Sequence, residues 1–173
     1  EPTWSFLYRK MIPVFVEAGY RVVAPDFFGF GRSDKPVEDA DYTWEFHRRS
    51  LLQFIRAMEL DSFGLVCQDW GGLLGLTLPL DIPDAVNRLL VMNTALAVGV
   101  KPSPGFDKWK EYVANTPDLK VGRMMKRSVP SLTDEEVRAY DAPFPDHHYK
   151  AGVRRFPALV AVSPEMEGVT AAR

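Results

Sequence analysis

The chain is short of cysteine, histidine, net charge and long apolar runs, and each shortage removes a class of function. A single cysteine, Cys67, excludes a disulfide framework within the chain. It also points to a reducing compartment, so a cytoplasmic location is expected. Three histidines and one cysteine, without metal-ligand spacing, lead to the expectation of no metal site. A net charge of −2 leaves no electrostatic case for nucleic acid or an anionic membrane surface as partner. No apolar run approaches the roughly 18 residues that a membrane span requires. No stretch has the make-up of a signal peptide. What is present is ordinary for one globular domain: 173 residues, 46% hydrophobic and 25% charged.

Periodicity supplies the elements. The β-branched run 21–25 predicts a buried strand, followed by a glycine-studded loop over 26–34. Thr43 can cap a helix reaching about Leu60, with Glu45 in its first turn and Leu51, Ile55 and Met58 on one face. Residues 63–67 predict a second buried strand, 71–80 a helix that stops before Pro83, and 88–93 a third strand. This alternation is that of a parallel sheet with right-handed crossovers, an α/β fold. Past Asn93 prolines multiply and apolar residues fall at helical spacing, as in Phe106, Trp109 and Val113. Thr133 and Glu136 have the spacing of a capping box. A boundary near residues 95–100 therefore divides a sheet-bearing part, 1–95, from a helical part, 96–173.

Chemistry concentrates in Gln68-Asp69-Trp70-Gly71-Gly72. The run lies where a buried strand turns sharply into a helix, a place where a nucleophile with small neighbours can be held in a strained turn. The central residue is Asp69. The N–H groups that open the next helix favour negative charge there and can form part of an oxyanion hole. A carboxylate attacking an acyl carbon would give a labile anhydride. Attack on a saturated carbon gives an ester that water can open in a second step. Alkyl halides and epoxides are thus the candidate substrates. The competing assignment for Asp69 is a simple helix N-cap. A departing halide accepts no proton and is best met by neutral donors such as indole N–H. Trp70 adjoins the nucleophile, and Trp109 could supply a second indole or be a core aromatic of its helix.

Several segments together resemble the haloalkane dehalogenases. They are the opening run 1–11, the loop 25–36 (PDFFGFGRSDKP), the elbow 68–72, the segment 105–110 around Trp109, and the later runs 142–146 and 149–157. The likeness is strongest to the xanthobacter-type branch, which uses two tryptophans. It implies an α/β-hydrolase fold with a partial parallel sheet and flanking helices, plus part of a helical cap. It implies Asp69 as nucleophile and Trp70 and Trp109 as halide-binding residues. The N–H groups of Glu1 and Trp70 would form the oxyanion hole, and Leu73, Phe106, Pro157 and Val160 would line an apolar pocket. Leu73 stands where a phenylalanine occurs in the best-known relative, which bears on pocket shape. The implied substrate is a small halogenated alkane, hydrolysed to alcohol and halide without cofactor or metal, in a parent expected to be monomeric.

The family's general base is a histidine near the C-terminus, and its orienting acid follows a late strand. None of His47, His147 and His148 stands in the order nucleophile, acid, histidine. His47 is expected on the surface of its helix or tied to a neighbour, and His147 and His148 in a cap loop. Asn93 occupies the position where a related branch carries its acid. The chain is therefore expected to be a piece of a longer protein that does not complete turnover and is of low stability alone, its strands exposing edges and apolar faces. Two alternatives stand beside this. One is an epoxide hydrolase using Tyr112, Tyr140 or Tyr149, disfavoured by Gln68, Phe106 and Trp109. The other is a catalytically dead hydrolase-fold module that only binds. Cys67, which precedes the elbow, is expected to be a buried small apolar residue.

Overall fold

The computed structural model describes residues 1–173. In chain order its elements are α1 (Ile12–Glu17), α2 (Trp44–Ala57), β1 (Phe63–Gln68), α3 (Trp70–Gly75), β2 (Val86–Met92), α4 (Pro104–Ala114), α5 (Val121–Ser128), α6 (Asp134–Asp141), α7 (Ala151–Leu159) and α8 (Val169–Ala172), with short 3-10 turns between some of them. They fall into two units, each assembled from separated stretches. The first is Glu1–Asp39 with Glu111–Arg155, and the second is Ala40–Lys110 with Phe156–Arg173.

The second unit holds the sheet. β1 and β2 pair in parallel, with Leu65 opposite Leu89 and Cys67 opposite Val91, and α3 lies in the connection between them. Thr43 caps α2 as its position predicts, accepting a hydrogen bond from the Phe46 N–H at 3.0 Å. Glu167 accepts from the Trp44 N–H of the same turn at 3.1 Å, a carboxylate at the positive end of the helix dipole. α2 buries Leu52 and Ile55 against Leu78, with Leu51, Phe54, Leu60, Phe63 and Ile82 around them. The buried stripe is thus centred one residue past Leu51, and Met58 is the C-cap. α3 ends at Gly75, earlier than the apolar pattern predicts. Pro79 has no N–H to give to the Gly75 carbonyl, so the chain tightens into a 3-10 turn at Leu78–Leu80.

Two expectations for the sheet need correction. Residues 21–25 form no strand. A β-branched run becomes a strand only when a neighbour accepts its ladder bonds, and the sheet consists of β1 and β2 alone. Nor are the two strands buried throughout. Cys67 is the buried residue of β1, while Leu89, Leu90 and Val91 of β2 are 53%, 44% and 46% exposed. With β1 as its only strand neighbour, β2 presents both faces and one edge, as expected for strands of an incomplete sheet.

The first unit is built on charge and aromatic rings. Arg9 pairs with Glu136 at 2.5 Å, donates to the Tyr140 hydroxyl at 3.2 Å and lies 4.3 Å from the centre of the Phe6 ring. The Trp4 indole donates to the Ala139 carbonyl at 3.1 Å. α6 starts in the full capping box that the sequence spacing predicts, with Thr133 and Glu136 exchanging side-chain-to-backbone bonds at 2.9 and 3.1 Å. The 26–34 loop is held by Asp26, which accepts from the N–H groups of Ser5 and Arg32 at 2.6 and 3.0 Å. Gly31 has φ +51°, and a Cβ there would meet the Asp26 carboxylate at 2.2 Å, so no other residue fits this turn.

Candidate active site

The turn between β1 and α3 has the geometry that a nucleophile elbow requires. Asp69 has φ 51° and ψ −125°, a conformation that residues with a Cβ seldom adopt. Capping is excluded as its role. An N-cap takes extended φ and accepts from the first turn through its side chain, and Asp69 does neither. The strain is held by its surroundings. The Asp69 N–H donates to the Asn93 carbonyl at 3.3 Å. Its own carbonyl accepts from the Gly72 and Leu73 N–H groups at 2.9 and 3.2 Å and from the Thr94 hydroxyl at 2.7 Å. Gly72 lies against Thr94 so closely that a Cβ would fall 2.2 Å from its side chain, which is why the residue three past the nucleophile has no side chain.

Thr94 and Asn93, at the end of β2, therefore brace the elbow. In the sequence Asn93 stands out only as a missing acid, and Thr94 carries no signal at all. Adjacency in a parallel pair, not any local motif, brings them to Asp69. Asn93 itself has φ 41°.

Trp70 opens α3 and is buried. Its ring packs on Phe156 at 4.6 Å between centroids, and Phe156 in turn packs edge-on to His47 at 4.6 Å. Tyr42 and Phe46 complete the surround of His47, at 5.7 and 5.1 Å. His47 is thus neither on the helix surface nor a base at hand. Burial among rings disfavours its charged form and lowers its pKa to about 4. Sequence reasoning does not single out Phe156, although it sits within the 149–157 run beside Pro157.

The other expected site residues lie as follows. Leu73 is half-buried on α3, one turn after the elbow. Phe106 and Trp109 are half-buried on α4, one turn apart, whereas Val113 is the fully buried residue of that helix. Pro157 is buried inside α7 and Val160 half-buried just past its end. Leu73, Phe106, Trp109, Pro157 and Val160 belong to the unit that carries Asp69. Glu1 is half-buried in the other unit. Cys67 is buried and free, its thiol pKa raised by desolvation, in keeping with a small apolar role. Of the tyrosines weighed as proton donors, Tyr140 is buried against Phe6 and Arg9, and Tyr112 and Tyr149 are exposed. No helix is long and apolar enough to cross a membrane.

Comparison with known proteins agrees with this geometry. The family model described as alpha/beta hydrolase fold matches residues 2–136. A haloalkane dehalogenase of Psychrobacter cryohalolentis is 44% identical over 167 residues, which is 95% of this chain and 55% of the relative. One of Mycobacterium marinum is 44% identical over the whole chain and 59% of its own length. The tetrameric structure of haloalkane dehalogenase DpaA from Paraglaciecola agarilytica superposes with a TM-score of 0.96 at 47% identity, covering 99% of this chain and 58% of that one. The chain thus spans a little over half the length of the curated relatives it matches.

Proposed function

Because this chain belongs to the α/β-hydrolase fold family, we propose that it carries the nucleophile and halide-binding residues of a haloalkane dehalogenase. The observation that carries the proposal is a carboxylate, Asp69, held at φ 51° between β1 and α3 where it does not cap the helix. Likeness to named haloalkane dehalogenases along the whole chain supports it. Nothing favours the epoxide alternative.

An Asp69 carboxylate oxygen attacks the carbon that bears the halogen. The carbon–halogen bond breaks, the halide leaves with the bonding pair, and an alkyl ester forms. The indoles of Trp70 and Trp109 stabilise the departing anion, and Leu73, Phe106, Pro157 and Val160 give the alkyl part an apolar lining. Water then opens the ester, with the oxyanion met by the N–H groups of Trp70 and Glu1. Trp70's share is supported by its position at the first turn of α3, and Glu1's by sequence resemblance alone. The activating histidine and its acid belong, on the same resemblance, to the part of the relatives that this chain does not span.

The division into hydrolase core, 1–95, and helical cap, 96–173, rests on the order of elements, since both strands precede residue 95 and every later element is helical, whereas the two compact units divide the chain after residues 39, 110 and 155. A small halogenated alkane is the proposed substrate, and the single buried thiol supports a cytoplasmic setting. The monomer expected for the parent finds no support in the comparison with DpaA, whose structure is described as tetrameric.

The test is intact mass before and after exposure to a short bromoalkane. An alkyl adduct on Asp69 is expected, and none in Asp69→Asn. An adduct of equal yield in Asp69→Asn would remove the nucleophile assignment.

A further inference from the structure

As three consecutive residues, Asp146, His147 and His148 match no familiar ligand spacing. In the fold, however, they converge. Each offers a ligand atom, and these atoms all lie within 4.8 Å of one another on the exposed surface. We propose that these three side chains form a binding site for a divalent transition-metal ion of the zinc or copper class, held by two imidazoles and one carboxylate.

The geometry of the turn carries this. Asp146 is the N-cap of the 3-10 turn His147–Lys150, and its Oδ1 accepts from the His148 N–H at 2.8 Å. The same oxygen lies 3.1 Å from His148 Nδ1. Two donors on one ion, each about 2.1 Å from it and at right to tetrahedral angles, lie about 2.9–3.4 Å apart. An ion can therefore sit against Asp146 Oδ1 and His148 Nδ1 with little movement of either group. The His147 ring lies 3.9 Å from the His148 ring, tilted by 37°, and needs only side-chain rotation to bring a nitrogen to the same point. Its backbone is anchored, since its carbonyl accepts from Arg154 at 2.7 Å. The guanidinium of Arg154 is itself paired with Asp39 at 2.8 Å, which offsets its charge close to the turn.

Ligand type sets the metal. Two imidazoles and a carboxylate suit zinc, copper and nickel, whereas magnesium and calcium call for oxygen donors. The turn also leads directly into the buried Lys150, which pairs with Asp118 at 2.5 Å. A bound ion would hold the turn in the conformation that delivers Lys150 to that pair.

The experiment is calorimetric titration of the untagged chain with zinc chloride, then with magnesium chloride, alongside the double variant His147→Asn/His148→Asn. One zinc per chain is expected, with no saturable heat from magnesium. The double variant should bind zinc about 10-fold or more weakly, since losing a ligand costs no less than losing an outer-shell partner. All three side chains are exposed, so the fold should survive, and circular dichroism checks that it has. Wild-type zinc affinity in the double variant would mean the ion sits elsewhere, and absence of saturable zinc heat in the native chain would mean the convergence binds nothing. Either result overturns the proposal. Nitrogen-detected NMR of the imidazoles gives a second reading: zinc should shift His147 and His148 and leave the buried His47 in place.

Discussion

Both units bury a cation by pairing it with a carboxylate, and the second also buries a histidine that desolvation keeps neutral. The first brings charge inward and neutralises it. Lys150 is buried yet keeps its ammonium by pairing with Asp118, and Lys120 pairs with the other carboxylate oxygen at 2.7 Å. Together they hold the Asp118 carboxyl down at about 2. The second unit pairs the buried Arg48 with Asp81 in the same way, and it also buries an imidazole among rings. His47 lies among Tyr42, Phe46 and Phe156 and is held neutral by desolvation. The proposed halide site adjoins that aromatic cluster through Trp70, whose ring packs on Phe156.

The comparison is broken most directly at Phe156, the fully buried ring between Trp70 and His47. Phe156→Ala should cost about 3–5 kcal/mol as a core cavity. Amide hydrogen exchange should show protection lost in α2 and β1, with α5 and α6 largely spared. Equal loss in both sets of helices would mean that the units do not hold their stability separately.

Acid sharpens the contrast at a somewhat smaller magnitude. His47 has a folded pKa of about 4 against 6.5 for the free side chain. Between those values only the unfolded chain takes up the proton, so stability is complete above 6.5 and falls as pH drops toward 4. The full loss is about 3 kcal/mol. Asp118 acts in a lower window. Its folded pKa is about 2 against 3.8, so its contribution is present above 3.8 and disappears as pH falls toward 2. Acid titration followed by hydrogen exchange should therefore loosen the second unit first. In His47→Phe the step between 6.5 and 4 should shrink, and a step of unchanged size would place its origin elsewhere.

The smallest expected effect lies in the first unit alone. Thr133→Ala removes one half of the capping box on α6 and should cost about 1 kcal/mol. Denaturant unfolding of this variant should show a lower midpoint while exchange in α2 is unchanged. Thr43→Ala, at the matching cap of α2, should give the mirror result.

Local chemistry is legible in the sequence. The Thr133–Glu136 box, the Thr43 cap and the elbow around Asp69 each depend on residues within a few positions of one another, so spacing alone announces them. The β-branched run 21–25 announces a strand just as plainly and forms none. Its outcome depends on a partner strand, which no property of those residues supplies. His47, expected on the helix surface or tied to a neighbour, is buried for a related reason. Its place on α2 follows from the helical period, but its burial follows from Phe156, which comes from a distant part of the chain.

The sequence by itself determined which residue types are on offer: a carboxylate at a strand–helix turn, small residues beside it, and the indoles that the proposed halide site would use. Those are properties of residue types and short spacings. Tertiary structure alone decided that Thr94 and Asn93 would brace Asp69, that Phe156 would back Trp70, and that the ligand atoms of Asp146, His147 and His148 would come within 4.8 Å of one another. These pairings come from parallel strand register, ring packing and the turn of one short helix, and a linear pattern carries no record of which distant or differently rotated side chains will meet.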